Sequence, residues 1–283
     1  MRLSSLQIKN YRTIEDLELD LKRVNIFVGP PDSGKTAILE AIGLLGEYYD
    51  RRPLAEHVPP VHPGEVFRDP NRPVKISFVR SDLPPWDVRR TLTFRLVDKY
   101  VVAEIDGEWT TAVLGRNETV RCYLKHEPYI DEVRFAYVDA RLITEEVETL
   151  VRKHAHLWDV MARYGKNRVE RLPEPIRRDV TYLAVIEEVK DGVIAIDDFT
   201  CLYQPLTKQI AERIARDTAQ YLIETYDPQA VLSLVEKTKN GDLNIYLVQR
   251  EDDKTSAKKI DPEEVLELGS DLFFNLDRWG VEE

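Results

Sequence analysis

One short segment combines residue types and spacing that suit the binding of phosphate. It reads Gly-Pro-Pro-Asp-Ser-Gly-Lys-Thr and fits the pattern G-x-x-x-x-G-K-[ST]. Glycines let the backbone curl so that successive N–H groups face phosphate oxygens, while the lysine reaches the β- and γ-phosphates and the threonine hydroxyl ligates Mg²⁺. The segment predicts a P-loop that binds ATP with Mg²⁺, with contacts from Gly29, Asp32, Ser33, Gly34, Lys35, Thr36 and Ala37.

The sequence around this segment supports the P-loop. An apolar, β-rich run from Val24 to Val28 stops at Gly29, and residues 36 to 49 carry apolar side chains at helical spacing. A strand, a glycine-rich turn and a helix thus follow one another without a gap, so the helix N-terminus adds its dipole to the anion site. A chance match in a loop is the alternative, and this context argues against it.

A second acidic segment has the properties of a Walker B strand. Val193 to Ile196 are apolar and are followed by Asp197 and Asp198. A buried strand can deliver a carboxylate at its end to magnesium, which is the role expected for Asp197. Asp198 would then act as a general base on the attacking water, together with Lys35 as the second catalytic group. The alternative is an acidic strand end that caps the next helix.

The rest of the chain predicts an α/β fold in a single domain, 1–283. Residues 1–50 would form the P-loop part of the core, and 191–283 the Walker B part. Short β-like runs between 74 and 138 predict an antiparallel lobe, with Thr119–Leu124 and Val133–Val138 as its last strands. Residues 142–190 predict a helical lobe.

Three further assignments concern the loops and the C-terminal half. Six prolines between residues 50 and 73 predict a loop or flap. Leu206 to Tyr226 has the pattern of one long amphipathic helix, and Ala230 to Val235 that of a strand. Pro262 to Leu272 is expected to form a closing helix.

Composition limits the classes of function. The chain has 283 residues and a formal net charge of −11, which does not favour a protein that coats nucleic acid electrostatically. No apolar run approaches the roughly 18 residues of a membrane span, and the N-terminus lacks the apolar core of a signal peptide. The two cysteines have neither metal nor redox spacing. These features predict a cytoplasmic protein.

Several motifs together resemble those of a known family. The opening L-x-I-K-N-Y-R-T-I, the following E-D-L-E-L and the strand N-I-F-V-G before the P-loop resemble the N-terminus of the RecF/SMC/OLD-type branch of the ABC ATPases. I-A-I-D-D-F-T-C-L-Y-Q-P stands where that branch has its Walker B strand and D-E-P-E. The resemblance is good over residues 1 to 45 and looser over 170 to 250. The middle is too short for the coiled coil of SMC proteins, so a compact head is expected.

This resemblance implies an ABC-type P-loop NTPase with an inserted antiparallel β-lobe and a helical lobe. It also implies that Arg12 lies near the nucleotide, that Lys35 and Thr36 hold phosphate and magnesium, and that Asp197 supports magnesium. In this branch ATP is sandwiched between two heads, which implies an ATP-dependent homodimer. A surface arginine beside a strand is the alternative for Arg12.

The sequence departs from the family pattern at several positions. Pro31-Asp32 replaces the usual Asn-Gly in the P-loop, and Asp198 replaces a glutamate. The signature loop that would contact the partner's nucleotide is absent, and residues 172 to 176, with two prolines, occupy its place. The family's switch histidine is also missing, with Glu236 to Thr238 as the nearest counterpart.

These departures predict an ATPase whose hydrolysis is slow or depends on a partner, acting as a nucleotide-controlled switch with a protein partner. Two alternatives remain. One is a DNA repair or defence ATPase acting on nucleic acid, which needs a basic face that the net charge does not indicate. The other is a catalytically degenerate protein that senses nucleotide.

Overall fold

The computed structural model describes most of the chain, in ten stretches. They are residues 2–49, 66–81, 89–97, 100–106, 108–112, 122–123, 135–139, 145–189, 191–200 and 204–269. The predicted segments 50–65, 119–121 and 270–272, as well as residue 124, lie outside this part of the chain.

A largely parallel sheet forms the centre of the molecule. In the described residues its order is β13-β12-β3-β11-β10-β9, and all neighbours are parallel except the edge pair β12 and β13. The strands are β3 (Val24–Val28), β9 (Phe135–Asp139), β10 (Val193–Asp197), β11 (Gln220–Glu224), β12 (Leu243–Glu251) and β13 (Lys254–Ile260). Every residue of β3, β10 and β11 is buried, as expected of strands covered on both faces.

A second, antiparallel sheet packs over the first. Its order in the described residues is β2-β1-β4-β5-β6-β7-β8. The strands are β1 (Leu3–Tyr11), β2 (Ile14–Asp20), β4 (Val74–Arg80), β5 (Arg89–Val97), β6 (Tyr100–Ile105), β7 (Glu108–Ala112) and β8 (Cys122–Tyr123). β2 and β4 alternate buried and exposed side chains, which gives this sheet one face toward the core.

The helix that follows the P-loop connects the two sheets. α1 (Lys35–Tyr49) contacts β9, β10 and β11 on one side and β1 on the other. Its buried residues Ile38, Leu39 and Ile42 join side chains of both sheets in one hydrophobic cluster. The P-loop at the start of α1 is therefore anchored to both layers.

Six further helices of the described residues cover the opposite face of the parallel sheet. They pack around a second hydrophobic cluster. They are α2 (Glu145–Lys153), α3 (Ala155–Arg163), α4 (Glu174–Glu188), α5 (Gln204–Arg216), α6 (Pro228–Lys237) and α7 (Pro262–Leu268). No helix in the described part of the chain is long and apolar enough to cross a membrane.

The predicted long helix over Leu206–Tyr226 is wrong in its second half. The helix α5 ends at Arg216, and the chain then forms the strand β11 in the middle of the sheet. An apolar strand buried on both faces has no alternating pattern, so its sequence can be taken for the continuation of an amphipathic helix.

The predicted strand Ala230–Val235 is in fact part of the helix α6. Asp227 caps it by accepting a hydrogen bond from the backbone N–H of Gln229 at 2.9 Å, and Pro228 occupies the first turn. This Asp-Pro start is a helix N-terminal signal that outweighs the β-branched residues after it.

The antiparallel lobe also differs from its predicted extent. The run Val133–Val138 was expected to close the lobe, but β9 (Phe135–Asp139) pairs in parallel with β10 and belongs to the central sheet. The lobe is continuous with the N-terminal strands, because β4 pairs directly with β1. Within residues 142–190, for which a helical lobe was predicted, the structure has the helices α2, α3 and α4, and α2 and α3 are separated at His154.

Candidate nucleotide-binding site

Two positions of the P-loop have backbone conformations and close neighbours that only glycine accommodates. Gly29 has a φ of +152° and Gly34 a φ of +104°. A Cβ at Gly29 would lie 2.1 Å from the carbonyl oxygen of Val248, and one at Gly34 would lie 2.2 Å from Thr255 Oγ1. The glycines thus let the loop fold tightly against β12 and β13, leaving its concave side open to the pocket.

A pocket of about 450 Å³ opens beside this loop. Nine of the predicted site residues line it, namely Arg12, Asp32, Ser33, Gly34, Lys35, Thr36, Ala37, Asp197 and Asp198. The tenth, Gly29, is the first residue of the loop, and its carbonyl oxygen accepts a hydrogen bond from Lys35 Nζ. Residues that are far apart in the sequence are therefore brought to one cavity at the carboxyl ends of neighbouring parallel strands, where open α/β sheets bind ligands.

The Lys35 ammonium group lies inside the loop. It donates hydrogen bonds to the carbonyl oxygens of Gly29 at 2.9 Å and Pro30 at 2.7 Å, and its side chain is only 5% exposed. A protein cation that is held by carbonyl oxygens at the edge of a pocket can form charge-assisted bonds with an anion entering there.

Thr36 and Asp197 converge on one point of the pocket. Thr36 Oγ1 donates to Asp197 Oδ1 at 3.4 Å, and the hydroxyl of Tyr137 donates to Asp197 Oδ2 at 2.9 Å. Tyr137 fixes the orientation of the buried carboxylate, so that Oδ1 faces the threonine. A hydroxyl beside an oriented carboxylate is the donor set that magnesium takes when the ion is shared with phosphates, so these residues fit the ion.

The carboxylate of Asp198 is held by the helix α4. Arg178 Nη1 donates to Asp198 Oδ2 at 3.0 Å, and Thr200 Oγ1 donates to Asp198 Oδ1 at 3.2 Å. Burial by itself lowers the pKa of Arg178, but the charge of Asp198 and their hydrogen bond raise the pKa above its usual value. Arg178 therefore remains a cation, although its side chain is only 10% exposed.

Arg12 lines the pocket with a conformation rare for a side-chain-bearing residue. Its φ is +48°, and its Nη1 lies 2.9 Å from Oε2 of the buried Glu40. Glu40 stands one turn after Thr36 on α1, so the arginine is tethered to the P-loop helix. Burial and the charge of Glu40 raise the pKa of the neighbouring Tyr11 well above its usual value, which keeps that phenol neutral.

Five residues that line the pocket were not predicted from the sequence as site residues, namely Thr13, Pro31, Glu224, Tyr226 and Arg250. Glu224 is the last residue of β11 and Tyr226 follows two positions later, in the segment assigned to a helix. Recognising Gln220–Glu224 as a strand would have placed both residues at the functional edge of the sheet. Glu236–Thr238, the predicted counterpart of the switch histidine, lie at the end of α6 and are not among the residues that line the pocket, whereas Tyr226 follows the end of β11 and lines it.

The proline-containing segment 172–176 forms the start of α4. Pro173 is the N-cap residue and Pro175 lies in the first turn, where a missing N–H costs little. Its side chains offer no hydroxyl there. The same helix carries Arg178 to Asp198, which links this segment to the pocket.

Comparisons with known proteins agree with this geometry. The family model of the AAA ATPase domain matches residues 1–102. The DNA replication and repair protein RecF of Lactococcus lactis subsp. cremoris (strain MG1363) is 37% identical over 78 residues, which is 27% of this chain and 20% of that protein. The OLD nuclease of Thermus scotoductus is 49% identical over 43 residues, 15% of this chain and 8% of the nuclease.

The matched segments thus span a fifth or less of these two relatives. A solved structure extends the comparison to the whole fold. The SMC head domain from Thermotoga maritima superimposes with a TM-score of 0.51 at 12% identity, covering 92% of this chain and 99% of the head domain. The N-terminal motifs are thus similar to those of the AAA ATPase domain, RecF and the OLD nuclease, and the fold of the chain is that of an ABC-type ATPase head.

Proposed function

We propose that the pocket binds ATP together with Mg²⁺. The observation that carries this proposal is the convergence of Thr36 and Asp197 at 3.4 Å beside the P-loop. The backbone of the loop and the N-terminus of α1 would cradle the phosphates, and Lys35 would contact the β- and γ-phosphates. Thr36 and Asp197 would hold the magnesium ion, which supplies positive charge against the phosphates when bound.

Hydrolysis is proposed to be slow in the isolated chain. For Asp198 to act as a general base, one of its oxygens must accept a proton from the attacking water while the water oxygen bonds to the terminal phosphorus. The bond from that phosphorus to the β–γ bridging oxygen breaks at the same time, and its electron pair leaves with ADP. Both oxygens already accept hydrogen bonds, from Arg178 and Thr200. These contacts fix the orientation of the carboxylate, so a movement of α4 or of the chain after Asp198 would be needed to turn it toward the water, which favours turnover that depends on a partner.

A nucleotide-controlled switch follows from the same contacts. The sequence resemblance implies that the start of α4 stands where this group of ATPases contacts the second head, and Arg178 connects that helix to Asp198. We propose an ATP-dependent homodimer that is weak, since Pro173 and Pro175 remove donors for a phosphate. Each hydrogen bond lost to a charged group is worth about 1.5–3 kcal/mol. We also propose that the chain acts with a protein partner of unknown identity and is located in the cytoplasm.

A second candidate function is an ATPase that acts on nucleic acid in DNA repair or defence. The N-terminal similarity to a DNA replication and repair protein favours it, whereas the net charge of −11 does not. A third, the degenerate nucleotide sensor, is favoured by the engaged carboxylate of Asp198. ATP turnover of the purified chain, measured with and without DNA, separates the three functions.

Stimulation by DNA supports the second candidate, and ATP binding with no turnover under either condition supports the third. Sedimentation with and without a non-hydrolysable ATP analogue tests the dimer. A tight ATP-dependent dimer that persists in Arg177→Ala/Arg178→Ala would contradict the proposed role for the start of α4.

A further inference from the structure

Glu224 places a carboxylate directly on the P-loop lysine. Its Oε1 lies 3.4 Å from Lys35 Nζ, and both side chains are almost fully buried, at 9% and 5% exposure. Glu224 is the final residue of β11, which lies between the P-loop strand β3 and the Walker B strand β10. The carboxylate is thus built into the floor of the pocket.

The second oxygen of Glu224 ties it to the Walker B end. Oε2 accepts a hydrogen bond from the backbone N–H of Asp198 at 2.7 Å. Asp198 has a φ of +53°, a conformation that few non-glycine residues adopt. Glu224 therefore bridges the lysine that would hold phosphate and the residue after the proposed magnesium carboxylate. One end of the bridge is an ion pair at 3.4 Å, and the other is a short, charge-assisted hydrogen bond at 2.7 Å.

Glu224 is positioned to affect the binding of the terminal phosphate of a nucleoside triphosphate more than that of the other phosphates. In a P-loop the backbone N–H groups cradle the α- and β-phosphates, while the lysine reaches the β- and γ-phosphates. The carboxylates of Asp197, Asp198 and Glu224 line the pocket beside the loop, at the ends of β10 and β11, and a terminal phosphate bound by Lys35 would lie near them. There it meets Glu224 as a like charge and as a competitor for Lys35.

We infer that Glu224 is a specificity-determining residue that lowers the affinity of the site for nucleoside triphosphate relative to diphosphate. A diphosphate can occupy the loop while Glu224 keeps its contact with Lys35. A triphosphate must displace the carboxylate, which also releases the N–H of Asp198. The ion pair thereby connects the arrival of a third phosphate to the conformation of Asp198. The inference rests on the proposed binding of ATP and concerns how the same site tells its ligands apart.

The test is a pair of titrations with ATP and ADP, in the presence of Mg²⁺, for the wild type and Glu224→Gln. Glutamine keeps the shape and an acceptor for the Asp198 N–H but removes the charge. The Kd for ATP is expected to fall about tenfold or more, and that for ADP less than about threefold. Glu224→Thr, also neutral, must move the ratio of the two constants in the same direction.

The matched control is Glu236→Gln, which removes one charge from an exposed position on α6 outside the pocket. It is expected to leave both constants unchanged. An equal change for ATP and ADP, or weaker ATP binding in both Glu224 variants, would overturn the inference while leaving the nucleotide site in place. If the wild type binds neither nucleotide, the proposed function fails, and this inference fails with it.

Discussion

Arg178 and Asp198 form an ion pair that joins the first turns of α4 to the end of the Walker B strand. The distance from Nη1 to Oδ2 is 3.0 Å, and the two side chains are 10% and 14% exposed. Arg178 also contacts Glu174 at 2.9 Å, but that carboxylate is 56% exposed. Arg178 therefore makes one buried and one solvated ion pair, and the energies of these two pairs can be compared in the same protein.

A double-mutant cycle should assign unequal energies to these two pairs. For Arg178→Ala and Asp198→Ala we expect a coupling energy of about 1–3 kcal/mol, because the pair is shielded from water. For Arg178→Ala and Glu174→Ala we expect less than about 1 kcal/mol, because water screens the exposed pair. Denaturant unfolding of the single and double variants measures both. Equal coupling in the two cycles would show that Arg178 does not hold Asp198 preferentially.

Replacing Gly29 by alanine should damage the P-loop. The added Cβ would meet the carbonyl oxygen of Val248 at 2.1 Å, at a φ of +152°, so the loop must move away from β12. We expect a loss of roughly 1–3 kcal/mol in unfolding free energy from the strained backbone, with a loss of ATP affinity. Gly241→Ala is the control, since no atom lies within 4 Å of its Cβ. Normal ATP binding by Gly29→Ala would contradict the loop geometry.

The carboxyl group of Asp179 should make stability depend on pH. It is fully buried on α4, and neither oxygen has a hydrogen-bond partner in the described structure. Desolvation by burial raises the pKa of Asp179 to about 7 from 3.8. The folded state therefore keeps the proton over a pH range in which the unfolded chain releases it, and stability falls as the pH rises from about 4 to about 7.

Asp179→Asn removes this titration. Relative to the wild type, the variant should gain stability between pH 4 and pH 7.5, by up to about 4 kcal/mol for a shift of this size. Thermal unfolding at the two pH values measures the difference. A constant difference in stability across that range would show that Asp179 has an ordinary pKa in the folded protein.

The length of the Asp198 side chain should limit the rate of ATP hydrolysis. We expect the wild type to hydrolyse ATP well below the median enzyme rate of about 10 per second. Asp198→Glu extends the carboxylate by one methylene and should raise the rate roughly tenfold, whereas Asp198→Asn should remove it without loss of ATP binding. A phosphate-release assay measures all three proteins. Rapid hydrolysis by the wild type, or by Asp198→Asn, would mean that another group orients the water.

The sequence predicts the chemistry of the site better than the elements that surround it. Gly29–Thr36 and Asp197 could be named as candidates because the P-loop and Walker B patterns require fixed residue types at fixed spacing, and residues 31 to 36 and Asp197 line one pocket. Glu224 and Tyr226 were missed because they follow a central strand, β11, whose apolar residues carry no alternating pattern. The Arg178–Asp198 pair could not be predicted, because the local sequence does not indicate which side chain of a helix contacts which side chain at the end of a strand.

Binding of a nucleoside triphosphate in the P-loop pocket can be tested directly. The most direct measurement is a titration of the wild type and Lys35→Ala with a fluorescent ATP analogue. Lys35 donates to Gly29 and Pro30 at the pocket edge, and we expect its removal to abolish binding. Circular dichroism should show that the variant keeps the fold. Saturable binding by the wild type only is the predicted result, and unchanged affinity in Lys35→Ala would contradict the P-loop assignment.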